Sequence, residues 1–213
     1  MITAIFDLDG TLTDSLQDLA NAVNYGLREL GYPEHETEAY KKMVGNGAKK
    51  LCFRGLPENG KHDAEKLHEL FRDYYTAHCM DNTQLYPGIR ELLTELSGKG
   101  VALAVATNKP QDTARKIIGH LLPEIHFAKI LGGCEERPKK PDPAIISEIL
   151  ADLPEDNTVY MAGDSNVDIR TAKNAGITAI GCTWGFRDRA ELESEGADFI
   201  VDSADEILDI VLR

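Results

Sequence analysis

Residues 2–13 read ITAIFDLDGTLT, an apolar run that ends in two closely spaced carboxylates. The apolar half is typical of a buried strand, and Asp7 and Asp9 follow it directly. Gly10 allows a sharp backbone turn, and the amide and hydroxyl of Thr11 can face an anion. Such an arrangement suits phosphoryl transfer, because one carboxylate can attack phosphorus, the other can move protons, and a divalent cation can bind among the oxygens.

Size and charge narrow the class of protein. The 213 residues suit one large domain or a domain with an inserted module, and 42% hydrophobic with 28% charged residues is ordinary for a soluble globular protein. The net charge of -13 predicts no nucleic-acid or membrane partner, since its field would repel phosphate polymers. A small phosphorylated metabolite remains the expected partner, and the chain is expected to be a monomer or a homodimer.

The cysteines and the N-terminus indicate the compartment. Cys52, Cys79, Cys134 and Cys182 lie far apart without a Cys-x-x-Cys pair, which favours reduced, mostly buried thiols over disulfides or zinc. The chain reaches Asp7 without a basic segment, which argues against a signal peptide, and no apolar run approaches membrane-spanning length. We therefore expect a cytoplasmic protein.

From about residue 85 onward, strand-like and helix-like segments alternate. The predicted strands in this part are 101–106, 127–131, 158–162, 177–182 and 198–201. Such alternation predicts an α/β fold, a Rossmann-like, mostly parallel sheet with helices on both faces.

The segment 15–84 has a different pattern. It shows helical spacing of apolar residues and no convincing buried strand. We therefore predict an all-helical module inserted after the first strand, with residues 1–14 and 85–213 forming the catalytic core.

Two polar residues follow the strand predicted over 101–106. Thr107 and Asn108 come directly after it, and Pro110 suits the first turn of a helix that would begin there. A hydroxyl and backbone amides at a helix N-terminus make a phosphate site. An ordinary helix cap is the alternative interpretation of this segment taken alone.

Two further charged segments occupy comparable places. Lys140 precedes Pro141, which holds it extended and outside a helix expected to begin near Asp142. Asp164 and Asp168 follow the strand predicted over 158–162, where N-capping is the alternative interpretation.

These segments are expected to meet in space. In an open parallel sheet, ligands bind beyond the carboxyl ends of the strands, and Asp7, Asp9, Thr107 and Asp164 all fall at that edge. Mg²⁺ prefers oxygen ligands, which Asp7, Asp9 and Asp164 can supply.

The order of four motifs resembles that of the haloacid dehalogenase superfamily over essentially the whole chain. The motifs are Asp-x-Asp-Gly-Thr, Thr-Asn, Lys-Pro-Asp-Pro and Gly-Asp-Ser-x-x-Asp. The resemblance implies that Asp7 is a nucleophile forming an aspartyl-phosphate. It makes Asp9 the general acid and base, with its backbone carbonyl on Mg²⁺. Thr107 would bind the phosphoryl group, and Lys140 would steady both the nucleophile and the phosphate.

The resemblance extends to the metal and the cap. It implies that Asp164 ligates Mg²⁺, with Asp168 either a direct ligand or one step behind it, and that the helical module is the small cap of the first subclass. The predicted metal residues are Asp7, Asp9, Asp164 and Asp168, and the predicted substrate residues of the core are Gly10, Thr11, Thr107 and Asn108.

Within the superfamily, the chain looks most like phosphoglycolate phosphatases. Residues 44–48, 86–88 and 184–189 carry this finer resemblance, although Asp142 stands where that group often has His. It implies that the cap contacts a small substrate, with a lysine available for a carboxylate. The alternative is a helix N-terminus with solvated lysines. The predicted cap contacts are Asn46, Gly47 and Lys49.

We therefore predict Mg²⁺-dependent hydrolysis of a small phosphomonoester, with 2-phosphoglycolate as a candidate. A sugar phosphomutase of the same superfamily is the nearest alternative. A phospho-accepting signalling module is disfavoured by Asp9, because a slow switch has little use for an efficient acid and base.

Overall fold

The computed structural model describes residues 1–154 and 156–213 and contains a central parallel sheet. The strands in chain order are β1 (Ile2–Phe6), β2 (Thr13–Asp14), β3 (Gln84–Leu85), β4 (Ala102–Pro110), β5 (Lys129–Gly133), β6 (Thr158–Gly163), β7 (Thr178–Cys182) and β8 (Phe199–Val201). Six of them form the central sheet in the order β5-β4-β1-β6-β7-β8, and all its neighbouring pairs are parallel.

Helices connect these strands. In chain order they are α1 (Leu16–Glu29), α2 (Ala48–Gly55), α3 (Ala64–His78), α4 (Ile89–Gly98), α5 (Gln111–Leu121), α6 (Ala144–Leu150), α7 (Asn166–Ala175), α8 (Arg189–Ser194) and α9 (Ala204–Val211). Short 3₁₀ turns cover Thr37–Lys42 and Glu58–Asp63.

Both faces of the sheet are buried, because successive side chains of a strand point to opposite sides. In β1, Phe6 packs with apolar residues of α4, α5 and α9, whereas Ile5 packs with those of α6, α7 and α8. The predicted α/β fold with helices on both faces is therefore confirmed.

The strand order places a crevice beside β1. The chain builds outward from β1 to β5 and then returns to pair β6 with the other side of β1. The amide of Asp7 donates to the carbonyl of Ala162 at 2.9 Å, so β1 and β6 end side by side. Ligands of doubly wound sheets bind at such a reversal, beyond the carboxyl ends of the strands.

The helices α1, α2 and α3 lie between β2 and β3, which pair antiparallel. Buried Asp18 of α1 accepts hydrogen bonds from the amides of Asn82 and Thr83, at 3.0 and 2.8 Å. The beginning and the end of this helical insertion are therefore held next to each other at the edge of the core.

Several element boundaries differ from the sequence predictions. The strand predicted over 127–131 lies at Lys129–Gly133, and two further shifts occur at prolines. The strand predicted to end at Ala106 continues to Pro110 through a register irregularity, so helix α5 begins at Gln111. The helix expected near Asp142 begins at Ala144. Prolines explain both shifts, since each lacks an amide hydrogen and has a fixed φ that suits a place before or at the first turn.

The burial of the cysteines agrees with the prediction. Cys52, Cys79 and Cys182 are buried free thiols, and Cys134 is half-buried and also free. Within residues 1–154 and 156–213, every helix is too short or too polar to cross a membrane.

Candidate active site

Three carboxylates meet at the crevice beside β1. Asp7 follows β1, Asp164 follows β6, and Asp168 lies in the first turn of α7. All three are buried, and each offers an oxygen within 4.8 Å of the others. The tertiary structure thus brings together residues that are 157 positions apart between Asp7 and Asp164.

Two glycines make this approach possible. Gly10 has a φ of +86°, and a Cβ there would lie 2.3 Å from Oδ2 of Asp164. A Cβ on Gly163 would lie 2.2 Å from the Cβ of Asp168. Any larger residue at either place would displace a carboxylate of the cluster.

Lys140 neutralises part of this negative charge. Its Nζ lies 2.6 Å from Oδ1 of Asp168 and 2.9 Å from Oδ1 of Asp7, and it also donates to the carbonyl of Ala106 at 2.8 Å. Burial acts against the ammonium, but Asp168 and Asp7 outweigh it and hold the pKa of Lys140 above its ordinary value. Lys140 is therefore a fixed cation beside Asp7.

Asn108 holds the backbone of Lys140 in place. Its Oδ1 accepts from the Lys140 amide at 2.9 Å, and its Nδ2 donates to the Lys140 carbonyl at 3.2 Å. Asn108 also lines the cavity described below, so its predicted contact with substrate stays a prediction. Thr107 is buried and lines the same cavity.

The oxygens of Asp164 and Asp168 have different partners. Asp164 Oδ2 accepts from the amide of Phe186 at 2.7 Å, and its Oδ1 lies 3.4 Å from the hydroxyl of Thr11. Asp168 Oδ2 accepts from the amide and the hydroxyl of Ser165, which makes a capping box at the start of α7. Since its Oδ1 pairs with Lys140, both oxygens of Asp168 are engaged by protein groups.

The buried carboxylates of Asp7, Asp164 and Asp168 repel one another. Burial, and then the charge of Asp168, raise the pKa of Asp7 to about 6, although Lys140 acts against the rise. Burial, Asp168 and Asp7 also raise the pKa of Asp164. Buried oxygen donors that repel one another fit a hard divalent cation, whose charge would remove the repulsion.

Asp9 has partners of its own. Its Oδ1 accepts from the hydroxyl of Ser15 at 2.5 Å, and the Nζ of Lys109 lies 2.7 and 3.0 Å from its two oxygens. Lys109 also donates to the hydroxyl of Tyr75 in α3 at 2.6 Å. Burial acts against the charge on Lys109, but Asp9 and Tyr75 hold the pKa of Lys109 above its ordinary value.

A cavity of about 80 Å³ opens between the carboxylates and the helical insertion. Its core side is polar, and its other wall is mostly apolar. Lining residues from the insertion include Leu19, Val44, Asn46, Gly47, Ala48, Leu51, Phe71 and Tyr75.

The three predicted cap contacts divide into two groups. Asn46 and Gly47 line the cavity in left-handed backbone, with φ of 62° and 88°. Lys49 does not line the cavity. Its side chain is 63% exposed, and its Nζ lies 3.2 Å from Oε1 of Glu65. The contact of Lys49 with substrate stays a prediction, and in this structure the first turn of α2 directs the side chain away from the cavity.

Sequence reasoning missed Lys109 and Arg187. The sequence predicts a helix that begins near Pro110, whereas residues 107–109 continue β4 as extended backbone, so Thr107 and Lys109 share a buried face. Because alternate residues of a strand share a face, a strand prediction for 107–109 would have placed Thr107 and Lys109 on the same side. Arg187 lines the cavity and donates to the Lys41 carbonyl and, at 2.6 Å, to the Val44 carbonyl, which joins the core to the insertion.

Comparisons with known proteins agree with this geometry. The family model of haloacid dehalogenase-like hydrolases matches residues 4–182. A phosphoglycolate phosphatase of Vibrio parahaemolyticus is 35% identical over 97% of this chain and 94% of its own length. One from Pseudomonas putida is 37% identical over 93% and 75%. The solved structure of a Lactobacillus delbrueckii protein, provisionally described as a phosphoglycolate phosphatase, superimposes with a TM-score of 0.89 and 32% identity, over 98% of this chain and 97% of that one.

Proposed function

Because this chain belongs to the haloacid dehalogenase-like hydrolases, and is a phosphoric monoester hydrolase, we propose that it hydrolyses a small phosphomonoester with Mg²⁺ through an aspartyl-phosphate on Asp7. The observation that carries the proposal is the meeting of Asp7, Asp164 and Asp168 within 4.8 Å, beside the buried ammonium of Lys140. A nucleophile, an oxygen-rich cation site and a fixed positive charge are what phosphoryl transfer requires.

The first chemical step transfers the phosphoryl group to the protein. A carboxylate oxygen of Asp7 forms a bond to phosphorus while the bond from phosphorus to the ester oxygen breaks. Asp9, which must carry a proton on one carboxyl oxygen while Lys109 keeps its contact with the other, gives that proton to the departing alkoxide. Lys140 counters the charge on the transferring group.

The second step releases phosphate. Asp9, now ionised, takes a proton from a water molecule, whose oxygen attacks phosphorus. The bond from phosphorus to Asp7 breaks, so the carboxylate is regenerated. Asp9 ends this step protonated, as it began the first.

Asp7 and Asp164 are the side chains proposed to hold Mg²⁺, together with the backbone carbonyl of Asp9. The ion supplies charge neutralisation for the phosphoryl oxygens and for Asp7. We assign Asp168 a different task, because its oxygens hold Lys140 and Ser165. Asp168 orients Lys140 and does not itself bind the ion in this proposal.

The cavity supports a small substrate. Its volume of about 80 Å³, between the carboxylates and the helical insertion, favours a phosphoryl group with a short carbon chain. The similarity to phosphoglycolate phosphatases makes 2-phosphoglycolate the first candidate. We propose that the enzyme acts on this metabolite class in the cytoplasm.

A phosphate-release screen with Mg²⁺ tests the proposal. The panel should contain 2-phosphoglycolate, other short-chain phosphate esters and β-glucose 1-phosphate, with Asp7→Asn as the blank. We expect the highest kcat/KM for a short-chain ester. Conversion of β-glucose 1-phosphate to glucose 6-phosphate without phosphate release would establish the mutase instead, and an absence of phosphate release from the whole panel would refute the proposal.

A further inference from the structure

Lys109 is a buried lysine to which the two chemical steps give no task. Its side chain is 2% exposed, and its Nζ lies 2.7 and 3.0 Å from the oxygens of Asp9 and 2.6 Å from the Tyr75 hydroxyl. An ammonium has three protons, and these three contacts use all of them. In this arrangement Lys109 holds the carboxylate of Asp9 through two hydrogen bonds.

The contacts of Lys109 cross between the two parts of the molecule. Lys109 lies near the end of β4, Asp9 follows β1, and Tyr75 belongs to α3 of the helical insertion. Ser15, directly before α1, donates to the same Asp9 carboxylate at 2.5 Å. The carboxylate is therefore fixed from two directions at the junction of core and insertion.

We infer that Lys109 is a positioning residue that holds the Asp9 carboxylate in place for proton transfer, and that Tyr75 holds Lys109 from the helical insertion. The inference rests on the proposed roles of Asp7 and Asp9. A general acid must stand within hydrogen-bond reach of the oxygen that it protonates. A displacement of about 1 Å can cost ~10²-fold in rate.

Lys109→Met removes the ammonium and keeps an apolar side chain in the buried site. With an alkyl phosphate, turnover should fall by roughly 10²-fold, because the leaving alkoxide needs the proton of Asp9. p-Nitrophenolate departs without protonation, so p-nitrophenyl phosphate should still phosphorylate Asp7. Hydrolysis of the aspartyl-phosphate would then be slow, since Asp9 is misplaced as a base. We expect a rapid burst of about one equivalent of p-nitrophenol per site, followed by slow turnover.

Two companion variants make the test specific. Lys116 also joins core to insertion, since its Nζ donates to the Thr76 carbonyl at 2.9 Å, but it is exposed on α5 and outside the site. Lys116→Met should show neither a burst nor a difference between substrates. Tyr75→Phe removes only the hydroxyl that holds Lys109, and it should show the Lys109→Met pattern in weaker form. Circular dichroism checks the fold, and Tyr75→Phe decides the matter if Lys109→Met does not fold.

Asp9→Asn separates the inference from the function on which it rests. This variant should show a burst of the same size, about one equivalent per site, followed by slower turnover than in Lys109→Met. If Asp9→Asn shows the burst and Lys109→Met loses both activities equally without one, the positioning role of Lys109 is overturned and the proposed function stands. If Asp9→Asn itself shows no burst and no difference between substrates, the acid and base role of Asp9 fails.

Discussion

A Cβ atom on Gly10 would lie 2.3 Å from Oδ2 of Asp164, so the Asp164 carboxylate occupies the space that a side chain at position 10 would need. Gly10 turns the chain after β1, and Asp164 directly follows β6. The turn that places Asp7 at the crevice therefore also leaves the space in which Asp164 approaches it.

Gly10→Ala should damage the metal site. The new methyl group would push the Asp164 carboxylate aside, and the φ of +86° would be strained for alanine. We expect Mg²⁺ affinity to fall by more than about tenfold, a change of about 1.4 kcal/mol in binding free energy, and activity to fall with it. Calorimetric titration of Mg²⁺ measures this.

Gly119→Ala is the matched control. Gly119 lies inside α5, and a Cβ there would meet no atom within 4 Å. Because alanine favours helix, this variant should keep its Mg²⁺ affinity and gain about 0.5–1 kcal/mol in the free energy of unfolding. Equal Mg²⁺ affinity in both variants would mean that Asp164 does not need the space at Gly10.

Asp7→Asn should abolish turnover and leave a stable fold. An amide cannot attack phosphorus, so phosphate release should fall to the background of the assay. Residual activity within about tenfold of the parent would remove Asp7 from the role of nucleophile, given the ~10⁶-fold or greater acceleration typical of enzymes.

Without metal, the same variant should change how stability depends on pH. A carboxyl with a pKa of about 6 in the fold and 3.8 as its ordinary value stabilises the fold fully at low pH. That contribution is lost as the pH rises through about 6. The free energy of unfolding of Asp7→Asn should therefore gain on the parent as the pH rises, by up to about 3 kcal/mol at neutral pH.

Urea unfolding in a chelator, repeated across this pH range, measures the difference. Asp209→Asn serves as control, since this exposed aspartate of α9 lies outside the carboxylate cluster. A constant difference between parent and Asp7→Asn at every pH would contradict the strained cluster.

Activity should require Mg²⁺, vanish with excess chelator, and be inhibited by Ca²⁺. Ca²⁺ accepts more ligands at longer distances, so it can draw both oxygens of Asp7 into coordination and remove the attacking lone pair. Initial rates in Mg²⁺ with increasing Ca²⁺ test this. Undiminished hydrolysis in excess chelator would contradict a metal-dependent mechanism.

Asn46→Gly should change substrate preference. Glycine tolerates the φ of 62°, so the substitution removes a cavity-lining side chain without straining the loop. It also removes the acceptor that Arg54 contacts at 2.9 Å. We expect kcat/KM for the preferred natural ester to fall by roughly tenfold, equivalent to about 1.4 kcal/mol. Hydrolysis of p-nitrophenyl phosphate should change much less.

Lys49→Met tests the other half of the same idea. Because Lys49 is exposed and paired with Glu65, both substrates should be hydrolysed as by the parent. If Lys49→Met hydrolysed only the natural ester more slowly than the parent, Lys49 would be a substrate contact in spite of its exposed position. Equal losses on both substrates in Asn46→Gly would make Asn46 a structural residue of the loop.

Some of the site follows from local pattern. Asp7, Thr107 and Asp164 stand directly after apolar runs, and parallel strands end at one edge of a sheet. Their meeting could therefore be predicted without coordinates. The helical insertion could be predicted as well, because its apolar spacing differs from that of the strands around it.

What the amino-acid sequence determined by itself was the alternation of strands and helices and the residues at the strand ends, since both depend on neighbours along the chain. Only the tertiary structure decided the partners of side chains. Lys109 reaches Asp9 because residues 107–109 are extended. The side chain of Asn108 hydrogen-bonds to the backbone of Lys140. Lys49 turns to solvent because each helical residue rotates the side-chain direction by about 100°. Such directions depend on where a strand ends and a helix begins, to within one residue, and on packing between segments far apart in the chain.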